Sequence, residues 1–502
     1  MTEPANYLAL AERHGTPLFV YDSRALTGAL RDLRAALDPG VTVLHSLTAN
    51  PNISLVGLLA DHGAGAAVSS LGELRTAVLA DVDPAEIIFR SASKGRAELQ
   101  ACVASGVYAM VAESFDELAE LDRIASAQAT RPRVLLRIHP GSGDRRDGPA
   151  GADPLGQSSR EPAQLVPPAP LPDRFPALDI AGVEVGPGTP VRDPDLLVDN
   201  LARSLELAGR VAGPTQLRLD AVHLGGGLDA ACFDGDPGSG LARFAHRIGQ
   251  AVHAFRARHP HTRLLFEAGH YLTARAGVYI VRVRHVRESL GRWFAVVDGG
   301  THQHLAGPAS PPARWELPVR LLNRPGTGPA GSWHLTCPLC APDDPLLKSV
   351  TLPPLRPGDL LGFERCGASG PTVLPGLFFR HGLPAEVLVH QGATYLVRDR
   401  DEPFDLLRKQ HHHRLRSHEL DRTQVVAQIR AATAALLGHE LPALSDGTTL
   451  AELGLDSTGV LEMLMGLEQH ASFEVDADEL DPVVFDTVGS LADFVLRMRR
   501  DR

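Results

Sequence analysis

The sequence predicts an α/β fold: a TIM-type β/α barrel, then an antiparallel β domain, then a small α-helical bundle. Three observations carry this. From about residue 17 to 275, short β-rich apolar runs alternate with amphipathic segments. From 276 to about 400, strand-like runs follow one another with turn signals between them, and from 420 onward the apolar residues recur at helical spacing. Strand then helix, repeated, means parallel βα units, and eight such units close a barrel.

In the first zone the pairs read LFVYD then RALTGALRDLRAAL, VTVLHS then ISLVGLLADHG, EIIFRS then RAELQACVASG, and YAMVAE then FDELAELDRIAS, with RVLLRIHP opening the next. Residues 140–176, crowded with Pro, Gly, Ser and charge, read as a long loop interrupting the barrel. The second zone holds GVYIVRVRHVRES, WFAVVDGG, DLLGFER and AEVLVHQGATYLVRD, with few helical patterns, as an antiparallel domain requires. RKQHHHRLRSHE (408–419) reads as a solvated linker, since consecutive histidines rarely converge on one ion; no metal site is expected. Beyond it, Val425, Ile429, Ala432 and Leu436 mark one apolar helix face, Val460, Leu464 and Leu467 a second, and Leu491, Phe494 and Val495 a third. The expected division is a barrel over 1–275, whose N-terminal strand joins the β domain, a β domain over 276–407, the linker, and the bundle over 420–497.

Composition narrows the function. A chain of 502 residues with 44% hydrophobic and 22% charged residues has apolar surface enough for two or three cores and is not a disordered protein. The net charge of -11 is concentrated: residues 418–502 hold 16 acidic and 6 basic residues. No basic stripe marks a nucleic-acid surface. The N-terminus lacks a basic start with a long apolar run, and no stretch approaches the roughly 18 apolar residues of a membrane span, so a cytoplasmic protein without membrane contact is expected. Cys102, Cys232, Cys337, Cys340 and Cys366 are few, scattered and odd in number, which favours reduced thiols. Lysine is scarce: Lys94, Lys348 and Lys409 are the only three.

The sharpest short motif is LAELGLDSTGVLEMLMGLE (450–468), followed about 30 residues later by FDTVGSLADFV. Asp456 can cap a helix and place Ser457 in its first turn, where a hydroxyl is exposed. The segment resembles an acyl or peptidyl carrier domain, which implies phosphopantetheine on Ser457, a phosphopantetheinyl transferase and acyl- or aminoacyl-loading enzymes as partners, and Glu462 and Glu468 facing basic surfaces.

The remainder resembles the pyridoxal-phosphate decarboxylases of diaminopimelate, ornithine and arginine. The resemblance rests on GTPLFVYD (15–22), LHSLTANPNISLVGLLADHGAGAAVSSLGEL (44–74), GRAELQACVASGVYAMVAESFDELAEL (95–121), HLGGGLD (223–229), FEAGHYLTARAGVYIVRV (266–283), FAVVDGG (294–300), CPLCAPDDPLLK (337–348), LPPLRPGDLLGFERCGASG (352–370) and LPAEVLV (383–389). It implies an alanine-racemase-type barrel with a β domain and a homodimer with shared active sites. It further implies that Gly225, Gly226 and Gly227 face the cofactor phosphate, that Glu267 and Gly269 of EAGH replace the EPGR stretch whose carboxylate pairs with the pyridine nitrogen, and that Cys340 enters the partner's site. A redox or zinc reading of Cys337 and Cys340 lacks a second pair.

The departures are more telling. The family's YAVKAN lysine, which forms the Schiff base, is Thr48 in HSLTAN, fixed in register by Ala49-Asn50-Pro51-Asn52. A hydroxyl forms no imine. Gly186 stands for the ring-stacking histidine, Ser369 for the GAYG tyrosine, His270 for the EPGR arginine and Ala67 for the acid of GADV, while the Pro-rich loop replaces the SKFG motif. These losses point to a body released from pyridoxal chemistry, with bound pyridoxal phosphate in doubt, fused to a carrier and serving as a dimerising or docking platform in secondary metabolism. Two alternatives stand beside this: a decarboxylase acting on an amino acid tethered to its own carrier arm, and a barrel with another chemistry lined by Thr48, Glu267, His270, His302, His304 and Cys340. Residues of a TxQH turn such as His302 are expected at the surface.

Overall fold

In a computed structural model the chain is described over residues 6–138, 171–185, 193–215, 217–233, 237–303, 318–324, 330–339, 345–370, 381–411, 421–471 and 482–500. Most of the Pro-rich insertion, Gly186, His304, Cys340 and residues 412–419 of the linker lie outside these. Two compact units emerge, Met1–Lys409 and Gln410–Arg502.

Eight parallel strands close the barrel: β2 (Val41–Ser46), β3 (Gly65–Val68), β4 (Ile87–Phe89), β5 (Ala109–Ala112), β6 (Arg133–Ile138), β7 (Asp179–Val185), β8 (Ala221–Leu224) and β9 (Arg263–Glu267), with β9 returning to β2. The strand β1 (Leu18–Asp22), which opens the series of βα pairs in the sequence, is not a barrel stave; it pairs with strands of the second sheet. Its place in the barrel count is taken by GAAV of β3. Three small residues and a single valine, all buried, gave that stave no periodic signature. Leu44, Ala67, Ile88, Ala109, Val111, Leu135, Ala221 and Leu265 pack together as one buried cluster, the layered filling expected of a barrel interior.

Helices follow the staves because the loops carry caps. Ser70 Oγ accepts from the Glu73 amide at 3.2 Å, and Glu73 returns a bond to the Ser69 amide at 2.7 Å. Ser114 and Glu117 repeat the pattern before Phe115–Ala127. These reciprocal bonds satisfy amides that a helix start leaves unpaired.

The second sheet comprises β1, β10 (Gly277–Ser289), β11 (Arg292–Val297), β12 (Val319–Leu321), β13 (Gly331–Thr336), β14 (Pro345–Leu352), β15 (Leu360–Glu364), β16 (Ala385–His390) and β17 (Ala393–Arg398). Most ladders are antiparallel, but β1 runs parallel to β16 and β11 to β13, so the sheet is mixed. Parallel partners need long crossovers, which turn signals in sequence do not reveal.

In the C-terminal unit, helices Arg422–Leu437, Ser457–Ala471 and Val488–Arg500 bury Val425, Ile429, Met463, Leu464, Leu467, Leu491, Phe494 and Val495 around one core. The first apolar face differs from the expected one. Leu436 is 37% exposed, and the third buried residue of this helix, after Val425 and Ile429, is Thr433, whose hydroxyl donates to Met463 Sδ at 3.1 Å. A threonine that hides its hydroxyl on a thioether escapes an apolar-periodicity search.

Candidate functional site

Active sites on this architecture form at the C-terminal ends of the barrel strands, and there the chain gathers its ionisable residues. Arg90 follows β4, Glu113 follows β5, Arg137 lies in β6, Glu184 in β7, His223 in β8, and Glu267 closes β9. The cross-strand register seats Arg137 opposite Glu184 and Glu184 opposite His223, so three polar side chains share one row of adjacent staves. Charges within such apolar runs (RVLLRI, AGVEV, AVHL) were the available signal, since strands buried on both faces seldom carry them without purpose.

Arg90 is the hub. Its Nη1 donates to both oxygens of Glu267, at 2.7 and 2.6 Å, and its Nε lies 3.3 Å from Glu184 Oε1. Arg137 Nη1 donates to Glu113 Oε1 at 2.5 Å and Nη2 lies 3.6 Å from Glu184. His223 stands between the acids, Nε2 3.5 Å from Glu267 and Nδ1 4.0 Å from Glu184. Glu184, His223 and Glu267 are all buried. Burial alone would raise both carboxyl groups, but for Glu267 the Arg90 guanidinium followed by His223 and Ser46, and for Glu184 the Arg90, His223 and Arg137 charges, hold them below the ordinary carboxylate range. Arg90 is correspondingly raised, chiefly by Glu267.

Thr48 lies just past the end of β2 in the turn 47–49, exposed, with its hydroxyl 3.4 Å from Glu73 Oε1. The turn is braced from several sides. Asn50 Nδ2 donates to the Gly367 carbonyl at 2.9 Å, and the Ser369 amide donates to the Ala49 carbonyl at 2.8 Å, so the GASG loop of the second sheet closes against it. Gly269 leaves it room: a Cβ there would lie 2.7 Å from Ser46 Cβ and 2.9 Å from Ala49 Cβ. His270 Nδ1 is 3.8 Å from Asp229, and Ala67 is buried within β3. Gly225 to Gly227 follow β8, with Gly227 at φ +108, and Gly226 abuts the Glu267 carboxylate. His302, expected at the surface, is 1% exposed with its ring 4.8 Å from that of His381. His381, which its ring meets, is far away in sequence.

In the second unit, Ser457 begins its helix as expected and the Gly459 amide donates to Asp456 Oδ1 at 2.8 Å, the N-cap bond. Glu462 is exposed. The side chains of Ser457 and Glu468 lie outside the described residues.

Comparison with known proteins accounts for both units. Residues 24–274 match the pyridoxal-binding domain of the pyridoxal-dependent decarboxylases. The chain is 30% identical over 419 residues to the L-glutamyl-[BtrI acyl-carrier protein] decarboxylase of Niallia circulans, covering 81% of this chain and 96% of that protein. The chain belongs to the pyridoxal-dependent decarboxylase family. The diaminopimelate decarboxylase of Pseudomonas aeruginosa is 31% identical over 79% of this chain and 93% of its own length. The solved diaminopimelate decarboxylase of M. jannaschii, 21% identical, covers 81% of this chain and 94% of that chain at a TM-score of 0.71 and shares its fold. Residues 427–495 match the phosphopantetheine attachment site, so this decarboxylase-family body is fused to a carrier domain. The cofactors of the two matched domains are pyridoxal phosphate and phosphopantetheine. Among the described residues, no helix is long and apolar enough to cross a membrane.

The pyridoxal site of this decarboxylase-family chain does not fit the cofactor. Thr48 offers a hydroxyl where an amine is required, and both oxygens of Glu267 are already held by one nitrogen of Arg90. Lys94 is no substitute: its ammonium is fully buried, 2.6 Å from Glu117, and donates to the Ser91 carbonyl at 2.8 Å.

Next to this cluster, His45 is buried with Nε2 2.9 Å from the Asn50 carbonyl. Burial pushes it down to about 4, against the Asn50 bond and Glu267. Between pH 6.5 and 4 the unfolded chain therefore binds a proton that the folded chain refuses, and the body loses stability as pH falls through that window. From pH 7 to 4.5 the expected loss from this residue is about 2–3 kcal/mol. Urea unfolding followed by the fluorescence of Trp293, Trp315 and Trp333, all within residues 1–409, measures it. His45→Gln should flatten that part of the profile; parallel profiles would refute the assignment.

Proposed function

We propose that this chain is a carrier, armed with phosphopantetheine at Ser457, whose decarboxylase-like body does not decarboxylate amino acids and serves as a docking platform for the phosphopantetheinyl transferase and the acyl- or aminoacyl-loading enzymes of a secondary-metabolite pathway. The observation that carries this reading is the end of β2, where Thr48 presents a hydroxyl to Glu73 and Lys94 is committed to Glu117. Without an amine there, the chain has no nucleophile with which to capture the cofactor covalently.

One observation favours a second reading. The Niallia circulans relative is named for decarboxylating a glutamyl group on an acyl-carrier protein, and a fused carrier would present such a group at high effective concentration. Here the body would act on an amino acid held by its own arm.

The two readings part in one experiment. Full-length protein, loaded with phosphopantetheine and charged with glutamate, is incubated with pyridoxal phosphate and assayed for carbon dioxide, and a parallel sample is treated with borohydride and mapped by mass spectrometry. We expect no release from the tethered amino acid or from free diaminopimelate, ornithine or arginine, and no trapped adduct. Release from the tethered glutamate would establish the second reading instead, and an adduct on Lys94 or Lys348 would overturn the first.

A further inference from the structure

We propose that Arg90 is a built-in replacement for a cationic ligand at Glu267, so that the chain's own guanidinium decides whether a pyridine-ring phosphate can lodge in the barrel mouth. This deepens the reading above and is tested apart from it.

Glu267 is a buried carboxylate at the end of a barrel strand, and such a group persists in ionised form only with a cation against it. That cation comes either from a bound molecule or from the chain. Here it comes from Arg90, 177 residues away in sequence. The stave before Arg90, β4, is separated from β9 by β2 and β3 on one side and from β7 by β5 and β6 on the other. A guanidinium that reaches both Glu267 and Glu184 therefore extends over the bore instead of lying along its wall, in the volume a ligand at Glu267 would enter. Arg137 pairs with Glu113 and lies 3.6 Å from Glu184, and His223 Nε2 lies 3.5 Å from Glu267, so an incoming cation meets carboxylates that already have a basic neighbour.

The glycine run of the receptor persists. Gly225 to Gly227 lie beside the same carboxylate, and a Cβ on Gly226 would stand 3.9 Å from Glu267 Oε1. Consecutive glycines at a strand end let backbone amides approach an anion. A backbone loop suited to phosphate and a carboxylate suited to a ring cation are thus adjacent, with the carboxylate satisfied internally.

The test uses full-length protein and pyridoxine phosphate, which carries the ring nitrogen and the phosphate without the aldehyde, so lysine chemistry plays no part. By calorimetry, Arg90→Ser should bind it at least about tenfold tighter than wild type, and Arg90→Ser/Glu267→Gln should lose that gain. Arg90→Gln, which retains an N–H for Glu267, guards against misfolding of the serine variant and should also gain affinity. Unchanged affinity in folded Arg90→Ser or Arg90→Gln would overturn the proposal. So would a gain that survives Glu267→Gln, or one matched by inorganic phosphate, which lacks the ring. A borohydride-trapped adduct in the wild type would defeat the functional reading while leaving the Arg90 comparison intact.

Discussion

Ser457→Ala should abolish loading of this chain by coenzyme A and a broad-specificity phosphopantetheinyl transferase, while wild type gains the mass of one arm. The effect is all or none because the transfer makes a phosphodiester to one hydroxyl. Ser457 is the first residue of Ser457–Ala471, Asp456 caps that helix through the Gly459 amide, and Val460 donates to the Asp456 carbonyl at 2.9 Å. The partial positive charge of a helix N-terminus favours an incoming phosphate and the phosphodiester that replaces the hydroxyl. Alanine removes the hydroxyl and leaves the cap, so the helix should persist, which circular dichroism can verify. Intact-mass spectrometry gives the outcome. A mutant that still acquires one arm would move the modification to another serine.

The second large effect is expected at the ion cluster. Arg90→Met leaves Glu267 and Glu184 without their principal cation inside the barrel, and removal of one partner from a buried pair costs about 3–5 kcal/mol. A double-mutant cycle resolves the interaction. Arg90→Met should be strongly destabilising, Glu267→Gln should also destabilise because the guanidinium then keeps only Glu184, and the double variant should cost clearly less than the sum of the singles. Arg90→Met should also alter the pH dependence. In wild type the depressed Glu267 contributes stability above its unfolded value near 4.5, which is lost as pH falls toward the folded value. Without Arg90 the largest of the influences that lower Glu267 is gone, so that acid-side loss should shrink. Additive singles, or an unchanged pH slope, would mean that the short Arg90–Glu267 contacts carry no energetic coupling.

The missing amine was legible in the sequence because its neighbours fix the register: Ala49, Asn50, Pro51 and Asn52 allow one alignment of HSLTAN, and the turn 47–49 holds Thr48 just past the end of β2. The glycine run was legible for the same reason, being contiguous and next to a strand. His302 was misjudged because its burial is tertiary, with His381 against its ring, and β3 was overlooked because a buried GAAV stave has no polar-apolar alternation and little bulk.

Local chemistry therefore determined much of this protein from sequence alone. The alternation of strand and helix requires parallel units, a Ser-x-x-Glu pair starts a helix wherever it falls, and the Asp456-Ser457 start of a carrier helix depends only on the residues of its own first turn. What the tertiary structure alone decided is which charges meet. Arg90 and Glu267 share no periodicity and no motif; they come together because β9 closes on β2 and because strand register sends both side chains into the barrel mouth. A Coulombic contact depends on distance through space, and in a closed barrel that distance is set by all eight staves together.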